Sequence, residues 1–285
     1  MTMRVTPLSE VLGAEVRGVD LAGPLTGSAF GYILDVFYRY QVVVFRDQAL
    51  TPEAQIAFSR RFGPVERHNN EEFLLGGNPE ILVLSNDRKD DVPIGVLAAG
   101  DFWHSDHAFK KETGLATLLY AVRLPKQGGD TEFANNYRAY ETLSDGMKDR
   151  LFGLKGIHSR NRLRNPRVEV SRPNVEGYYK RGGGKENDVL HPIVRTHPVT
   201  GRKGLFISPR FTIGIADMDD RDAQPLLDRL FEHLIRPENV YRHEWQPCDF
   251  LMWDNRCVNH RACGGYTYPD IRLIHRTTVL GDRPV

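Results

Sequence analysis

The chain has 285 residues, enough for one large domain with a sizeable core. Its 38 lysines and arginines nearly cancel 37 aspartates and glutamates, so no overall field favours nucleic acid or an anionic membrane surface. The opening residues hold no apolar run of signal-peptide length, and no later stretch is apolar for long enough to span a bilayer. The three cysteines, Cys248, Cys257 and Cys263, lack Cys-x-x-Cys spacing and read as free or buried thiols of a reducing compartment. A cytoplasmic protein that binds neither nucleic acid nor membrane is expected.

In chain order, short strands are expected at 4–6 and 14–20. Phe30, Ile33, Leu34, Phe37 and Tyr38 recur at helical spacing over 28–40. Val42-Val43-Val44-Phe45 is a short β-branched run, the pattern of a strand buried on both faces. Thr51-Pro52 offers an N-cap and a proline at the first helical position, so a helix starts there and stops before Gly63-Pro64. One strand is expected in 79–85, then a polar, glycine-bearing loop over 87–100. Strands follow at 103–109, 116–124 and 131–134, and helical spacing covers 137–154. Residues 158–190 carry Arg160, Arg162, Arg164, Arg167 and Arg172 with three consecutive glycines, and form either a solvated excursion or a clamp for an anion. Strands return at 192–196 and 204–208, a helix is expected over 223–235, and the end reads as strands at 240–246, 250–253 and 272–280. No repeat or linker divides 1–285, which reads as a single, mainly β domain: a sandwich or barrel with helices packed outside.

The stretch that suggests chemistry is Trp103-His104-Ser105-Asp106. On a strand, side chains two apart share a face, so His104 and Asp106 converge. That is two-thirds of the 2-His-1-carboxylate set that holds non-haem Fe(II) with open positions. His260, shortly after the turn Asp254-Asn255-Arg256, is the natural second histidine; a capping or core histidine is the alternative. On the last strand Arg272, Ile274 and Arg276 share one face. Guanidiniums on a face suited to burial need anions, and their planar fork pairs bidentately with carboxylate or sulfonate. A dicarboxylate cosubstrate and a small anionic substrate are therefore expected. The alternative turns one or both arginines outward into surface ion pairs of little worth.

The motifs at 103–106, 128–131, 195–203, 253–260 and 272–276, together with 18–21 and 58–64, resemble the taurine dioxygenase / chlorophenoxyacetate dioxygenase family. Those enzymes are Fe(II)- and 2-oxoglutarate-dependent dioxygenases. The resemblance implies a double-stranded β-helix (jelly-roll, cupin-like) core with flanking helices, and Fe(II), 2-oxoglutarate and O2 as cofactor and cosubstrates. It carries the iron-ligand role onto His104, Asp106 and His260, and the distal carboxylate of 2-oxoglutarate onto Thr131 and Arg272. His68, Phe211 and Arg276 correspond to substrate-binding positions. The implied reaction hydroxylates a small anion, foremost a sulfonate such as taurine, with release of sulfite alongside succinate and CO2. An aryloxyalkanoate or another carboxylate is the alternative substrate, and a homo-oligomer (dimer or tetramer) is implied. Two contrasting readings are a metal-free jelly-roll binding protein, which has no need of the triad and both arginines, and halogenation, which requires a small residue where Asp106 stands. The chain departs from the taurine pattern at Ala98-Ala99-Gly100-Asp101 and at Asn69-Asn70-Glu71-Glu72. No catalytic role is expected for Ser105, His107 or Asp254, and His107 is expected on the strand face opposite His104.

Overall fold

Both faces of the strand Val42–Phe45 meet a core, which is why all four residues are apolar. The structure, a computed structural model, describes residues 3–68, 71–97, 100–160 and 188–285. Val42–Phe45 lies inside an eight-stranded sheet in the order Arg4–Pro7, Ala14–Arg17, Val42–Phe45, Phe250–Asp254, Gly114–Arg123, Leu273–Leu280, Asn78–Ser85, Leu74–Leu75. Only Ala14–Arg17 against Val42–Phe45 pairs in parallel within it.

The alternation of side chains along these strands separates two cores. Val43, Phe45, Leu118, Phe250 and Met252 pack beneath the helices Gly27–Tyr40 and Pro52–Ser59, against Ile33, Phe37 and Phe58. Val42, Val44, Leu119, Leu251, Trp253 and Ile274 face the other way, toward Phe133 and Val258. Those two residues belong to a second sheet, Val240–His243, Thr131–Asn135 and Val258–Ala262, whose outer side is covered by Asn136–Glu141 and by Leu226, Leu227 and Leu230 of Asp220–Leu234. Two facing sheets with flanking helices make the expected jelly roll. Each fully buried aliphatic or aromatic side chain contributes about 1.5–3 kcal/mol to it.

The helix starts follow their caps. Thr26 and Thr51 accept the backbone N–H groups of Ala29 and Ala54, both at 3.2 Å, and Pro52 occupies the first turn. Such a cap is worth about 1 kcal/mol. The helical spacing over 137–154 resolves into two helices, Asn136–Glu141 and Asp145–Leu151, because Ser144 caps the second through the Met147 N–H. The strands beyond the expected set include Lys155–His158, Thr212–Ile215 and Val258–Ala262, and the expected loop over 87–100 holds a short hairpin of Arg88–Lys89 and Val92–Pro93. Val258–Ala262 contains Asn259, His260 and Arg261, and its polar residues hide the alternation that marks a strand. All three cysteines are free; Cys248 is exposed and Cys257 buried. Among the described residues no helix is long and apolar enough to cross a membrane.

His191, on the strand Val189–Pro192, gives the fold a pH dependence. Its Nε2–H donates to the Lys110 carbonyl at 2.8 Å, while Nδ1 is buried without a partner. Burial lowers its pKa to about 4; the carbonyl contact opposes the shift, and Arg195 and Arg283 reinforce it. A group held neutral in the fold but protonated in the unfolded chain makes stability fall as pH drops. The window runs from the ordinary value of 6.5 down to about 4, and below it the contribution is flat. Thermal midpoints measured across that window should fall with pH, and less steeply in His191→Gln, whose amide can still donate to Lys110. The neighbouring imidazole of His158, also pushed down by burial, keeps part of the slope.

Candidate active site

The metal-ligating candidates meet at one point. His104 and His260 face each other in an isolated antiparallel bridge, His104 N–H to His260 O at 3.0 Å and the reverse at 2.8 Å. The expected strand over 103–109 does not form: the chain makes this single bridge, then turns at Asp106. Asp106 still reaches the centre. His104 Nε2 lies 3.5 Å from Asp106 Oδ1, and His260 Nε2 lies 3.7 Å from Asp106 Oδ2. These separations are long for hydrogen bonds and suit donor atoms arranged around a common centre. Only a proton on His104 Nδ1 explains its 2.8 Å contact with the Phe102 carbonyl, and this contact keeps Nε2 aimed inward. His260 is held neutral, its pKa well below the usual histidine range, first by burial and also by the Arg276 guanidinium, against the pull of Asp106. Burial opposes the charge on Asp106, yet the Arg276 guanidinium beside it holds its carboxyl well below the usual carboxylate range. Two imidazoles and one carboxylate, all buried, are a donor set that fits Fe(II). Gly100 is needed for this approach. Its φ is +76°, and a Cβ there would stand 2.8 Å from His104 Cε1.

The three residues open onto a cavity of about 240 Å³ that also receives Thr131, Arg272, Arg276, His68 and Phe211. Arg276 on the strand Leu273–Leu280 and Arg272 just before its start thus both turn inward, although the strand begins one residue later than the spacing implied. Arg272 is buried, and no described carboxylate forms an ion pair with it. Its Nε donates to the Gly129 carbonyl at 3.1 Å, and Trp245 and Tyr266 flank its guanidinium. Gly129, at φ +79°, gives that guanidinium room: a Cβ would come within 3.1 Å of Arg272 Cδ. Thr131 accepts the Trp245 indole N–H at 3.1 Å. A buried guanidinium without a counter-ion is costly, so this end of the cavity favours a carboxylate ligand.

At the other end, Arg276 reaches Asp106 Oδ1 at 2.9 Å and donates through Nε to Thr278. Phe211 lies 5.9 Å from the His104 ring, and Phe102 and Phe109 pack on it at 6.2 and 4.9 Å. Arg160 sits over Phe109 and borders the cavity; Arg162, Arg164, Arg167 and Arg172 lie outside the described residues, as do Asn69, Asn70, Ala98 and Ala99. His107 is not on an opposite face. The turn at Asp106, with His107 at φ +59°, swings it into the cavity wall, where Nε2 lies 3.1 Å from Glu66 Oε2. Glu66 also pairs with Lys110 at 2.7 Å and lies 3.8 Å from His68. Sequence spacing gave no signal for Glu66 or Lys110, because their elements meet only in three dimensions.

A second His–Asp–Cys group, His197, Asp254 and Cys257, is a closed network. His197 Nδ1 accepts the N–H groups of Val199 and Thr200, its Nε2 faces Asp254 at 3.0 Å, and Arg256 grips both Asp254 oxygens. It braces the turn between the strands Phe250–Asp254 and Val258–Ala262.

Residues 4–278 match the family described as taurine catabolism dioxygenase TauD, TfdA family. The chain belongs to that family. Among its relatives is the (S)-phenoxypropionate/alpha-ketoglutarate-dioxygenase of Sphingobium herbicidovorans, 31% identical over 98% of this chain and 95% of the relative. The alpha-ketoglutarate-dependent 2,4-dichlorophenoxyacetate dioxygenase of Cupriavidus pinatubonensis is 32% identical over the full length of both. The crystal structure of a taurine dioxygenase from Burkholderia xenovorans superposes with a TM-score of 0.82 at 33% identity, covering 99% of this chain and 91% of that one. This TauD/TfdA member is a non-haem iron oxidoreductase, an α-ketoglutarate-dependent dioxygenase that uses Fe(II), 2-oxoglutarate and O2 and acts on a small molecule.

Proposed function

We propose that residues 1–285 act as one catalytic domain that hydroxylates an organic acid with an apolar, often aromatic, body. The observation that carries this reading is the convergence of His104, Asp106, His260, Arg272 and Arg276 on one cavity with a phenylalanine wall. His104, Asp106 and His260 would hold Fe(II), and Thr131 with Arg272 would take the distal carboxylate of 2-oxoglutarate. Bound there, iron and 2-oxoglutarate supply the oxidation of a substrate C–H bond, coupled to decarboxylation of 2-oxoglutarate to succinate. The protein's own residues position and shield the reactants. Arg276 and His68 meet the acid head of the substrate, and Phe211 with Phe109, backed by Phe102, covers its apolar body and excludes water.

A carboxylate such as an aryloxyalkanoate and a sulfonate such as taurine present similar heads to Arg276. The phenylalanine wall favours the first, since an aromatic body buried there gains apolar contact that an aminoethyl chain cannot. Taurine is the second reading, favoured by the buried, unpartnered Nε2 of His68, which suits a three-oxygen head. Succinate formation measured with phenoxyalkanoates, alkylsulfonates and taurine in parallel tests the choice. Phenoxyalkanoates should give the highest kcat/KM, with release of a phenol; turnover of sulfonates alone, with sulfite release, would sink it. Phe211→Ala should raise KM for a phenoxyalkanoate by about 10–100-fold, the loss of roughly 1.5–3 kcal/mol of aromatic burial. The KM for 2-oxoglutarate should not change, because Arg272 and Thr131 are untouched.

A further inference from the structure

Thr117 is a polar residue within an apolar stretch of the strand Gly114–Arg123, and it is fully buried beside Asp106. A chain of hydrogen bonds runs through it. Trp253 Nε1 donates to Asn255 Oδ1 at 2.9 Å, Asn255 Nδ2 donates to Thr117 Oγ1 at 3.0 Å, and Thr117 Oγ1 donates to Asp106 Oδ2 at 2.6 Å. The directions follow from donor chemistry. An indole N–H only donates, so the Asn255 atom facing it is the oxygen. Its amide nitrogen therefore faces Thr117 and donates, and the single hydroxyl proton of Thr117 is left for the carboxylate. Asn255 also accepts the Asp106 backbone N–H at 3.4 Å and, through its own carbonyl, the Ser105 hydroxyl at 2.5 Å. One asparagine thus ties down the whole turn that presents Asp106.

We propose that Thr117, oriented by Asn255 and Trp253, is a positioning residue that sets the orientation of the Asp106 carboxylate and so the strength with which the centre holds iron. The proposal rests on the reading of Asp106 as an iron ligand. Neither Thr117 nor Asn255 borders the cavity, so neither touches 2-oxoglutarate or substrate. Their influence passes through Asp106 alone. Arg276 holds Oδ1 at 2.9 Å from one side, and Thr117 holds Oδ2 from the other. Without the hydroxyl, the carboxylate is free to rotate toward Arg276 and away from the two imidazoles. Outer-sphere hydrogen bonds of this kind orient metal ligands and tune their basicity.

Anaerobic titration of the full chain with Fe(II), followed by the visible charge-transfer band formed on adding 2-oxoglutarate, tests this on Thr117→Val, Thr117→Ala and Thr117→Ser. Valine keeps the shape and alanine leaves a small cavity, so the alanine variant serves if valine does not fold; thermal midpoints of the metal-free proteins report which do. Both should weaken Fe(II) binding by about 10–100-fold and displace the band, while serine restores both. A merely structural role predicts a lowered midpoint with unchanged band and affinity. Folded Thr117→Ala with wild-type Fe(II) affinity and an unmoved band overturns the proposal, as does a serine variant that fails to restore them. If the wild-type protein itself binds no Fe(II), the metal-centre assignment falls and the positioning role with it; wild-type binding that is indifferent to Thr117 removes the positioning role alone.

Discussion

Asp106→Ala is expected to remove Fe(II) binding measurable in the micromolar range and to lower kcat/KM by at least about 10³-fold, beyond the roughly 10–100-fold that loss of an outer-sphere partner costs. The size of the effect follows from what the carboxylate does. It is the only anionic member of the His104, Asp106, His260 group, is 4% exposed, and neutralises Arg276 at 2.9 Å. Its removal leaves two imidazoles with a guanidinium beside them and no anion, a site that repels a divalent cation. Asp106→Asn keeps the volume but loses the charge and should fail in the same way. The check is anaerobic Fe(II) titration together with steady-state succinate formation. Retention of wild-type metal affinity by either variant would remove Asp106 from the site.

Much of this site was legible in the sequence because its parts sit at the ends of strongly patterned elements. The apolar run Phe250-Leu251-Met252-Trp253 points to a strand, and the Asp-Asn turn after it delivers the chain to His260. Arg272 and Arg276, four apart on an apolar strand, announce two inward guanidiniums. Thr51-Pro52 marks its helix through local chemistry alone. What spacing could not supply was geometry set by distant partners. His104 and Asp106 share a centre through a bridge to His260 and a turn pinned by Asn255, and not through a strand's period of two. The same turn, at the positive φ of His107, carries that side chain into the cavity, where the strand reading had turned it away. Thr117 could have drawn notice as the polar residue in Leu115-Ala116-Thr117-Leu118-Leu119, but Asn255, which orients it, lies 138 residues along the chain.

Arg272→Ala is expected to raise KM for 2-oxoglutarate by about 10²–10⁴-fold, the equivalent of the roughly 3–5 kcal/mol that follows when one partner of a buried ion pair is removed. Arg272→Lys should recover little of it. The guanidinium is fixed by the Gly129 carbonyl and framed by Trp245 and Tyr266, a slot for a planar fork that a point ammonium does not fill. Fe(II) affinity without cosubstrate should stay near the wild-type value, because the contacts that fix Arg272 are with Gly129, Trp245 and Tyr266, away from the ligand group. Initial rates over a range of 2-oxoglutarate concentrations separate the outcomes: a raised KM supports the carboxylate slot, and an unchanged one excludes it.

The most direct test of the central assignment is anaerobic addition of Fe(II) and then 2-oxoglutarate to the wild-type chain and to His260→Ala, monitored in the visible region. The wild type should develop a weak charge-transfer band only when both are present, and His260→Ala should develop none. Absence of the band from the wild type, or an undiminished band in His260→Ala, would contradict an iron centre built from His104, Asp106 and His260.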